Sequence, residues 1–234
     1  MSNARPGAPA AAVTWQNSLQ TYYDTLYAAY GPQHWWPGRS RFEVIVGAIL
    51  TQNTAWTNVE PAIANLRREN LLTPAAIEAV SFVRLARLIR SSGYFRQKAK
   101  KLKAFARFLR REYAGSLTQM FKAPSTELRD KLLDVHGIGP ETADSILLYA
   151  GGHPVFVVDA YTRRILERHR LAAENQTYDD IRALFESNLP KDAALYNEFH
   201  ALIVQTGKNY CRPRNPRCVE CPLGPLLPER EMLP

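Results

Sequence analysis

Residues 132–143 read Leu-Leu-Asp-Val-His-Gly-Ile-Gly-Pro-Glu-Thr-Ala, and this stretch decides the architecture. An apolar helical segment leads into Gly137-Ile138-Gly139, and Pro140 then occupies the first position of a second helix, where no N–H is needed. The two glycines allow a tight turn and let a partner approach the backbone closely. The unpaired N–H groups that open the second helix, together with its dipole, suit a phosphate oxygen. The stretch therefore predicts a helical hairpin whose turn can contact a phosphate.

Helical periodicity extends over most of the chain. Apolar residues recur at helical spacing from residue 42 to residue 50, which indicates one face of a buried helix. The run 155–158 is strand-like but too short to form the basis of a β-sheet. We predict an all-α protein of about ten short helices. The further predicted helices cover residues 58–69, 74–79, 82–90, 96–113, 125–134, 141–150, 160–170, 178–187 and 192–208.

The composition is that of a globular protein with a basic surface. Of 234 residues, 46% are hydrophobic, which suffices for a sizeable core in one or two domains. Thirty Lys and Arg residues against 22 Asp and Glu give a formal charge of +8, which favours a polyanionic partner, nucleic acid first. A basic enzyme with no such partner fits the charge equally well. The basic residues of 96–111 are interpreted mostly as the solvated face of one helix.

Several classes of protein are excluded. No stretch approaches the roughly 20 apolar residues that span a bilayer. Residues 1–13 are rich in Ala, Pro and Gly without a strongly apolar centre, so we predict a disordered leader and not a signal peptide. Three cysteines between positions 211 and 221 do not make a disulfide framework. We expect a cytoplasmic protein, associated with the nucleoid if bacterial.

The hairpin, continued through Thr142 and Ala143, closely resembles the helix-hairpin-helix of DNA repair proteins. Four further motifs follow in order: Leu-Thr-Gln-Asn-Thr at 50–54, Gly-Tyr-Phe-Arg-Gln-Lys-Ala at 93–99, Pro-Val-Phe-Val-Val-Asp-Ala-Tyr-Thr-Arg-Arg at 154–164, and the cysteines Cys211, Cys218 and Cys221. Together with the hairpin they resemble the endonuclease III superfamily of DNA glycosylases over roughly residues 35–228. Trp35-Trp36-Pro37, the motif at 50–54 and Gly-Ile-Gly-x-Glu-Thr-Ala-Asp at 137–144 resemble most the 3-methyladenine glycosylase branch.

This resemblance implies a two-lobed all-α fold with a DNA cleft between the lobes. A six-helix barrel would cover residues 33–152, with the hairpin at about 128–150. The second lobe would join both chain ends, residues 14–32 and 153–234, and carry a cysteine loop at 211–227. The implied partner is double-stranded DNA that contains a damaged base, bound by a monomer that acts in base excision repair.

Asp159 is the predicted catalytic carboxylate. It precedes the helix that begins at Ala160, where an Asp is a good N-cap and stays ionised through the helix dipole and nearby N–H donors. A fixed carboxylate can stabilise the positive charge of a sugar that is losing its base, or orient the attacking water. The matching aspartate of the family has this role. The N-cap and catalytic interpretations are compatible.

Glu141 stands where bifunctional members of the family carry the lysine that forms a Schiff base. A carboxylate cannot form an imine, so lysine-dependent strand cleavage is predicted absent. The resulting enzyme would be monofunctional, use water and leave an abasic site. Glu141 is a candidate for the catalytic site, although a first-turn glutamate is also simply favourable for a helix.

Trp35, Trp36, Pro37 and Trp56 are the candidate base pocket, because a flipped base needs flat apolar walls. We expect Trp35 and Trp56 to stack on the base and Trp36 and Pro37 to shape the wall; a tryptophan-rich core is the alternative. N-alkylated purines are cationic, gain from an aromatic ring face and leave without general-acid assistance. Candidate DNA contacts, each with a purely structural alternative, are Gln52, which could fill the gap in the duplex, Gly137, Ile138, Gly139, Thr142, Arg163, Arg212, Arg214 and Arg217.

The cysteine loop follows the family's iron–sulfur pattern, but Leu227 stands at the fourth cysteine position. Three thiolates can hold a 4Fe–4S cluster whose last iron takes another ligand, or a three-iron form. Zinc with a fourth ligand from elsewhere, or no metal, are the alternatives. We favour a cluster on Cys211, Cys218 and Cys221, since the spacing and the surrounding Pro and Arg residues are intact.

The sequence thus favours a monofunctional DNA N-glycosylase that removes alkylated, cationic purines such as 3-methyladenine. One alternative is an endonuclease III-like enzyme for oxidised pyrimidines or for mismatched uracil or thymine. The other is a non-catalytic helix-hairpin-helix protein that binds DNA.

Overall fold

The computed structural model describes residues 15–36 and 38–228. The predicted leader at 1–13 and the pocket candidate Pro37 lie outside the described residues. The described residues form twelve α-helices and no strand, which confirms the all-α fold. The helices are α1 Trp15–Tyr30, α2 Arg41–Leu50, α3 Trp56–Arg68, α4 Pro74–Ala79, α5 Phe82–Leu88, α6 Phe95–Tyr113, α7 Leu117–Met120, α8 Ser125–Leu133, α9 Pro140–Ser145, α10 Ala160–Arg168, α11 Tyr178–Asn188 and α12 Ala193–Asn209.

Most predicted helices begin and end within two residues of the observed ones, with two omissions, α1 and α7. The predicted helix 141–150 is divided, because α9 ends at Ser145 and continues as a π-helical turn, Ile146–Gly151. Residues 155–158 are buried but form no strand, so the strand-like run is a connection between helices. None of the described helices combines the length and the apolar character needed to cross a bilayer.

Local sequence explains where many helices begin. Side-chain oxygens of Ser40, Thr73 and Ser81 each accept a hydrogen bond from a backbone N–H of the following helix. Thr177 and Asp180 form a reciprocal capping box at the start of α11. Such caps satisfy N–H groups that have no partner within the helix, each for about 1 kcal/mol.

Two hydrophobic cores meet at the π-helical turn. The first contains buried residues from α2, α3, α6, α8 and the start of α9, and the second contains buried residues from α1, α10, α11 and α12. Leu147 belongs to the first core and Leu148 to the second, while Tyr149 packs against both. The fold is therefore two-lobed. On these cores we retain, as a proposal, the boundaries 33–152 and 14–32 with 153–234.

A buried ion-pair network joins the lobes behind this turn. The Asp144 carboxylate, which has no solvent exposure, is bonded to Arg129 of α8 at 2.7 Å and lies 3.8 Å from Arg182 of α11. Arg129 also reaches Asp179 at 2.8 Å. Because breaking a buried pair leaves an uncompensated charge, this network holds α9 firmly against α8 and α11.

Two lysines of α6 are buried, so they do not belong to the solvated face inferred from the charge pattern. Lys98 Nζ donates to the carbonyls of Leu50 at 2.8 Å and Ser92 at 2.6 Å. Lys103 Nζ donates to carbonyls at the end of α4, including Glu78 at 2.9 Å. Both amines therefore cap chain segments that would otherwise leave buried carbonyl groups without partners.

Candidate active site

A cavity of about 330 Å³ opens where the two cores meet. This volume lies at the lower end of ligand pockets, which span roughly 300–1,000 Å³. Its walls come from residues 35–36, the end of α2, the start of α3, α9, the segment before α10, and α12. The aromatic and titratable side chains that line it are Trp35, Trp36, Trp56, Glu141, Tyr149, Asp159, Tyr161, His200 and Lys208.

Trp36 is the centre of the aromatic wall. Its ring centroid lies 5.3 Å from that of Trp56, 5.0 Å from that of Tyr149 and 5.7 Å from that of Trp35. The sequence suggested the pair Trp35 and Trp56 as the stacking residues; the structure places Trp36 between Trp56 and Tyr149 and brings all four rings to the cavity. Edge and tilted contacts of this kind hold the rings in fixed orientations.

Gly47 of α2 makes room for this wall. A Cβ atom at Gly47 would lie 3.2 Å from Trp36 Nε1 and 3.3 Å from Trp56 Cη2. Both indole rings therefore rest directly on the backbone of α2, which limits how far either can turn.

Asp159 caps α10 and faces the cavity. Its Oδ1 accepts hydrogen bonds from the Thr162 N–H at 2.8 Å and the Thr162 hydroxyl at 3.0 Å, while Oδ2 lies 3.6 Å from His200 Nε2. Burial alone would raise the pKa of the Asp159 carboxyl, but His200 and the Thr162 donors outweigh burial and hold that pKa below its usual range. Oδ1 is thus held at the start of α10, and Oδ2 of the same ionised carboxylate is left for a reacting partner.

His200 and Tyr149 were not found by sequence reasoning. His200 lies in the middle of α12 and Tyr149 in the π-helical turn, and the Tyr149 hydroxyl lies 2.6 Å from His200 Nδ1. Sequence carries little signal for this pair, since a histidine within an apolar helix face is typical of a core. Their position beside Asp159 comes from the packing of α12 on the π-helical turn.

Glu141 lies in the first turn of α9, at the mouth of the cavity. Partial removal from bulk water raises the pKa of its carboxyl, and the nearby Asp159 charge raises it further. The two carboxyls therefore differ in their pKa: Asp159 is held ionised, whereas Glu141 takes up a proton more readily.

Gln52 connects the end of α2 to the hairpin. Its side-chain amide donates to the Gly137 carbonyl at 3.1 Å and to the Thr142 hydroxyl at 2.8 Å, and its carbonyl oxygen accepts from Lys101. Gly137 has a φ of +80°, a left-handed conformation that favours glycine. Ile138 is buried beneath the turn, whereas a Cβ at Gly139 would meet open space. The hairpin backbone is therefore accessible at Gly139.

The sequence profile of the HhH-GPD superfamily, described as base excision DNA repair proteins, matches residues 46–191. The chain belongs to this superfamily. The expected resemblance to endonuclease III and to 3-methyladenine glycosylases is thereby confirmed. The aromatic cavity, Asp159 and the helical hairpin of this base excision DNA glycosylase lie within or beside the matched residues.

Individual proteins that are similar to this HhH-GPD protein support the same family assignment. A Methanocaldococcus jannaschii protein described provisionally as a DNA repair glycosylase is 48% identical over 203 residues, 86% of this chain and 91% of that protein. The H. pylori 3-methyladenine DNA glycosylase, crystallised with 1,N6-ethenoadenine, is 30% identical with a TM-score of 0.72, covering 83% of this chain and 97% of that one. A non-covalent endonuclease III–DNA complex has a TM-score of 0.78 at 23% identity, covering 92% and 95%, which shows the shared fold.

The remaining predicted DNA contacts of the HhH-GPD protein lie in different surroundings. Arg163 donates to the Gln176 carbonyl at 2.8 Å and lies 3.7 Å from Glu167, so its side chain is used within its own lobe. Arg212 and Arg214 of the cysteine loop are exposed, and Arg217 is exposed but paired with Glu220.

Two further groups near the cavity, Lys208 and Tyr94, were not assigned to it from the sequence. Lys208 of α12 lines the cavity with its amine 5.3 Å from the centroid of the Trp35 ring. Tyr94 is 71% exposed and lines a neighbouring groove with Gln52 and Gly137.

The three cysteines line a common small cavity with Leu227 and His169. Thiolates are the ligands of iron–sulfur clusters, but this cavity measures about 20 Å³, room for about one water molecule. Across residues 15–36 and 38–228, no group of three or more His, Cys, Asp or Glu side chains is arranged to hold a metal ion. Arg168 instead donates to Cys211 Sγ at 3.2 Å. The loop as it stands does not fit a four-iron cluster.

Proposed function

We propose that this HhH-GPD glycosylase is monofunctional and removes alkylated, cationic purines such as 3-methyladenine from DNA by water attack. The observation that carries the proposal is the placement of the ionised Asp159 carboxylate in one cavity with Trp35, Trp36 and Trp56. The aromatic rings supply a slot for an extruded base, and the carboxylate in the same cavity would face the sugar of that base.

Asp159 supports the chemical step by its charge. When the bond between C1′ and the base nitrogen breaks, the base takes the bonding electron pair and the sugar becomes positively charged. Oδ2 of Asp159, the oxygen that Thr162 leaves free, stabilises that charge and accepts a proton from the attacking water. The water oxygen forms the new bond to C1′, so the products are a free base and an abasic site.

The absence of a lysine at position 141 supports the monofunctional mechanism. Glu141 sits in the first turn of α9, beside Asp159, and its carboxyl cannot form an imine with the sugar. The amine of Lys208 also lines the cavity, but it is placed over the Trp35 ring. We therefore propose that the enzyme leaves the abasic strand uncut.

The chemistry of the cavity supports a cationic purine as substrate. The electron-rich faces of several aromatic rings attract a cation, and the carboxyls of Asp159 and Glu141 add negative charge. An N-alkylated purine departs as a neutral base without protonation, so its release needs no general acid. The H. pylori relative, which is named for 3-methyladenine and was crystallised with a modified adenine, adds support.

The duplex would be held by groups on both lobes. The accessible turn at Gly139, the exposed Tyr94 and the exposed Arg212 and Arg214 all offer contacts to DNA. A single chain supplies all of them, so we propose a monomer on double-stranded DNA that carries a damaged base. Such a protein would act in the cytoplasm, at the nucleoid if bacterial.

The test is a strand-cleavage assay on duplexes that carry a methylated purine, thymine glycol or uracil, analysed with and without alkali. We expect alkali-dependent breaks on the methylated duplex, lost in Asp159→Asn. Asp192→Asn is the matched control, because Asp192 also caps a helix but lies outside the cavity. Release of thymine glycol or uracil in preference to the methylated base would replace the proposed substrate. Binding without release of any base would identify a non-catalytic DNA-binding protein.

The 4Fe–4S cluster expected from the cysteine pattern stays a prediction, and no step of the proposed reaction involves it. Iron and sulfide analysis of the purified protein, together with its visible absorption spectrum, tests it directly. Bound iron would require the loop at residues 211–227 to open beyond the arrangement in which Arg168 contacts Cys211.

A further inference from the structure

The imidazole of His200 has a buried nitrogen directed at the catalytic carboxylate. The His200 side chain is 6% exposed, and its Nε2 atom has no hydrogen-bond partner although it lies 3.6 Å from Asp159 Oδ2. On the opposite side of the ring, Nδ1 lies 2.6 Å from the Tyr149 hydroxyl. The ring is therefore held between a phenol and the oxygen that Thr162 leaves free.

The contact between the Tyr149 hydroxyl and His200 Nδ1 bears on which ring nitrogen carries the proton. Burial raises the pKa of the Tyr149 phenol well above its ordinary value, so the hydroxyl keeps its hydrogen. A hydroxyl that donates to Nδ1 makes this atom the acceptor, and the proton of the neutral imidazole is then on Nε2. The Nε2–H group consequently faces the Asp159 carboxylate.

We propose that His200 is a positioning residue for base release, in which Nε2–H, fixed by Tyr149, orients Oδ2 of Asp159 toward the sugar and the attacking water. This inference rests on the proposed function of the cavity. Thr162 and His200 act on different oxygens of the Asp159 carboxylate: Thr162 fixes Oδ1, and His200 directs Oδ2.

His200 acts through Asp159, and the proposed step transfers no proton to or from the His200 ring. The water oxygen bonds to C1′ as the base departs with its electron pair, and the released proton passes to Oδ2 and then to solvent. The Nε2–H group, 3.6 Å from Oδ2, favours the ionised carboxylate until the water arrives. The titratable groups that line the cavity with the His200 ring are Glu141 of α9, Tyr149 of the π-helical turn, Asp159 before α10, Tyr161 of α10 and Lys208 of α12.

The first test is the tautomer of His200 in the free protein, measured by long-range proton–nitrogen NMR correlation on protein with labelled imidazoles. The chain has five histidines, and the spectrum of His200→Gln assigns the missing signal. We expect the proton on Nε2, and we expect Tyr149→Phe to shift the Nδ1 resonance. A neutral ring with its proton on Nδ1 overturns the inference. Because no substrate is involved, this result is independent of whether the proposed function holds.

The second test compares single-turnover base release across pH for wild type, His200→Gln and His200→Phe. The glutamine amide places an N–H near the position of Nε2, whereas phenylalanine fills the space without a donor. We expect His200→Phe to slow release by about 100-fold, the cost of a misplaced reacting group, and His200→Gln to recover most of it. The acid limb should move to higher pH in His200→Phe, since His200 lowers the pKa of Asp159.

Binding to a duplex with a stable abasic-site analogue should be equal in all variants. Equal losses in His200→Gln and His200→Phe, with an unshifted acid limb, would show a packing role and overturn the inference. If His200→Phe does not fold, His200→Asn replaces it, because its shorter amide occupies the Nδ1 position and leaves Oδ2 without a donor. Failure of the wild type to release any base would overturn the proposed function, and the NMR result would still decide the tautomer.

Discussion

The side-chain amide of Gln52 donates a hydrogen bond to the carbonyl of Gly137, a residue 85 positions later in the chain. This contact joins the end of α2, whose backbone supports Trp36 and Trp56, to the turn of the hairpin. Since Gln52 also bonds Thr142 and Lys101, the aromatic wall of the cavity and the turn proposed to contact phosphate are held as one unit.

Replacing Gln52 with Ala should destabilise the hairpin and lower the affinity for a damaged duplex. Each lost hydrogen bond contributes about 1 kcal/mol, so we expect a decrease in affinity for an abasic-analogue duplex of roughly tenfold, measured by fluorescence anisotropy. Asn58→Ala is the control, because the Asn58 amide bonds only the neighbouring Thr54 side chain on the surface. Equal affinities for the two variants would show that Gln52 is a satisfied polar residue without influence on DNA.

Replacing Glu141 with Lys should create a covalent adduct with DNA. Position 141 opens α9 near Asp159, so a lysine there would bring an amine to the sugar on which Asp159 is proposed to act. We expect borohydride to trap a protein–DNA complex with Glu141→Lys and none with wild type, as resolved by denaturing electrophoresis. A trapped complex with wild type would contradict the monofunctional mechanism, and Lys208→Gln would then show whether Lys208 is the nucleophile.

Lys98 should make the free energy of unfolding depend on pH in the alkaline range. Burial, with a smaller contribution from Lys101, lowers the pKa of the Lys98 amine from 10.5 to about 8. Between these values the unfolded chain binds more protons than the folded one, so the free energy of unfolding increases as pH rises from about 8 to 10.5. The stabilisation is lost as pH falls back through this range.

The variant Lys98→Met should lack that slope. It should also lower the free energy of unfolding at neutral pH by about 2 kcal/mol, because the carbonyls of Leu50 and Ser92 lose their donor. Denaturant unfolding at several pH values measures both effects. Lys100→Met, an exposed neighbour on the same helix, should leave the slope and the stability unchanged. A slope that persists in Lys98→Met would assign it to another group.

Removing Asp144 should destabilise the protein far more than removing a surface partner. Asp144 has no exposure and Arg129 is only 12% exposed, so Asp144→Ala leaves the buried Arg129 guanidinium with the 57% exposed Asp179 as its remaining partner, at a cost of about 3 kcal/mol. Arg110→Ala breaks an exposed pair with Glu78 and should cost less than about 1 kcal/mol. Thermal unfolding of both variants provides the comparison. Similar losses would indicate that the network contributes little to holding the lobes together.

The predictable elements are those whose signals are local. Pro74 and Ala79 bound the predicted and the observed α4 alike, because a proline start and a cap are properties of adjacent residues. Helix α1 was missed although Leu19, Tyr22 and Leu26 recur at helical spacing, since its other residues are largely polar and aromatic. Lys98 was interpreted as solvated because the carbonyls that bind it, at Leu50 and Ser92, have no sequence signature.

The amino-acid sequence by itself determined the hairpin, the helical class and the aspartate at the start of α10, because turns, periodicity and caps depend on residues close together in the chain. Only the tertiary structure decided that Trp36 stands at the centre of the aromatic wall, that Arg163 is used within its own lobe, and that His200 and Tyr149 adjoin Asp159. These relationships join residues of separate helices, and the packing of two cores against each other fixes their distances.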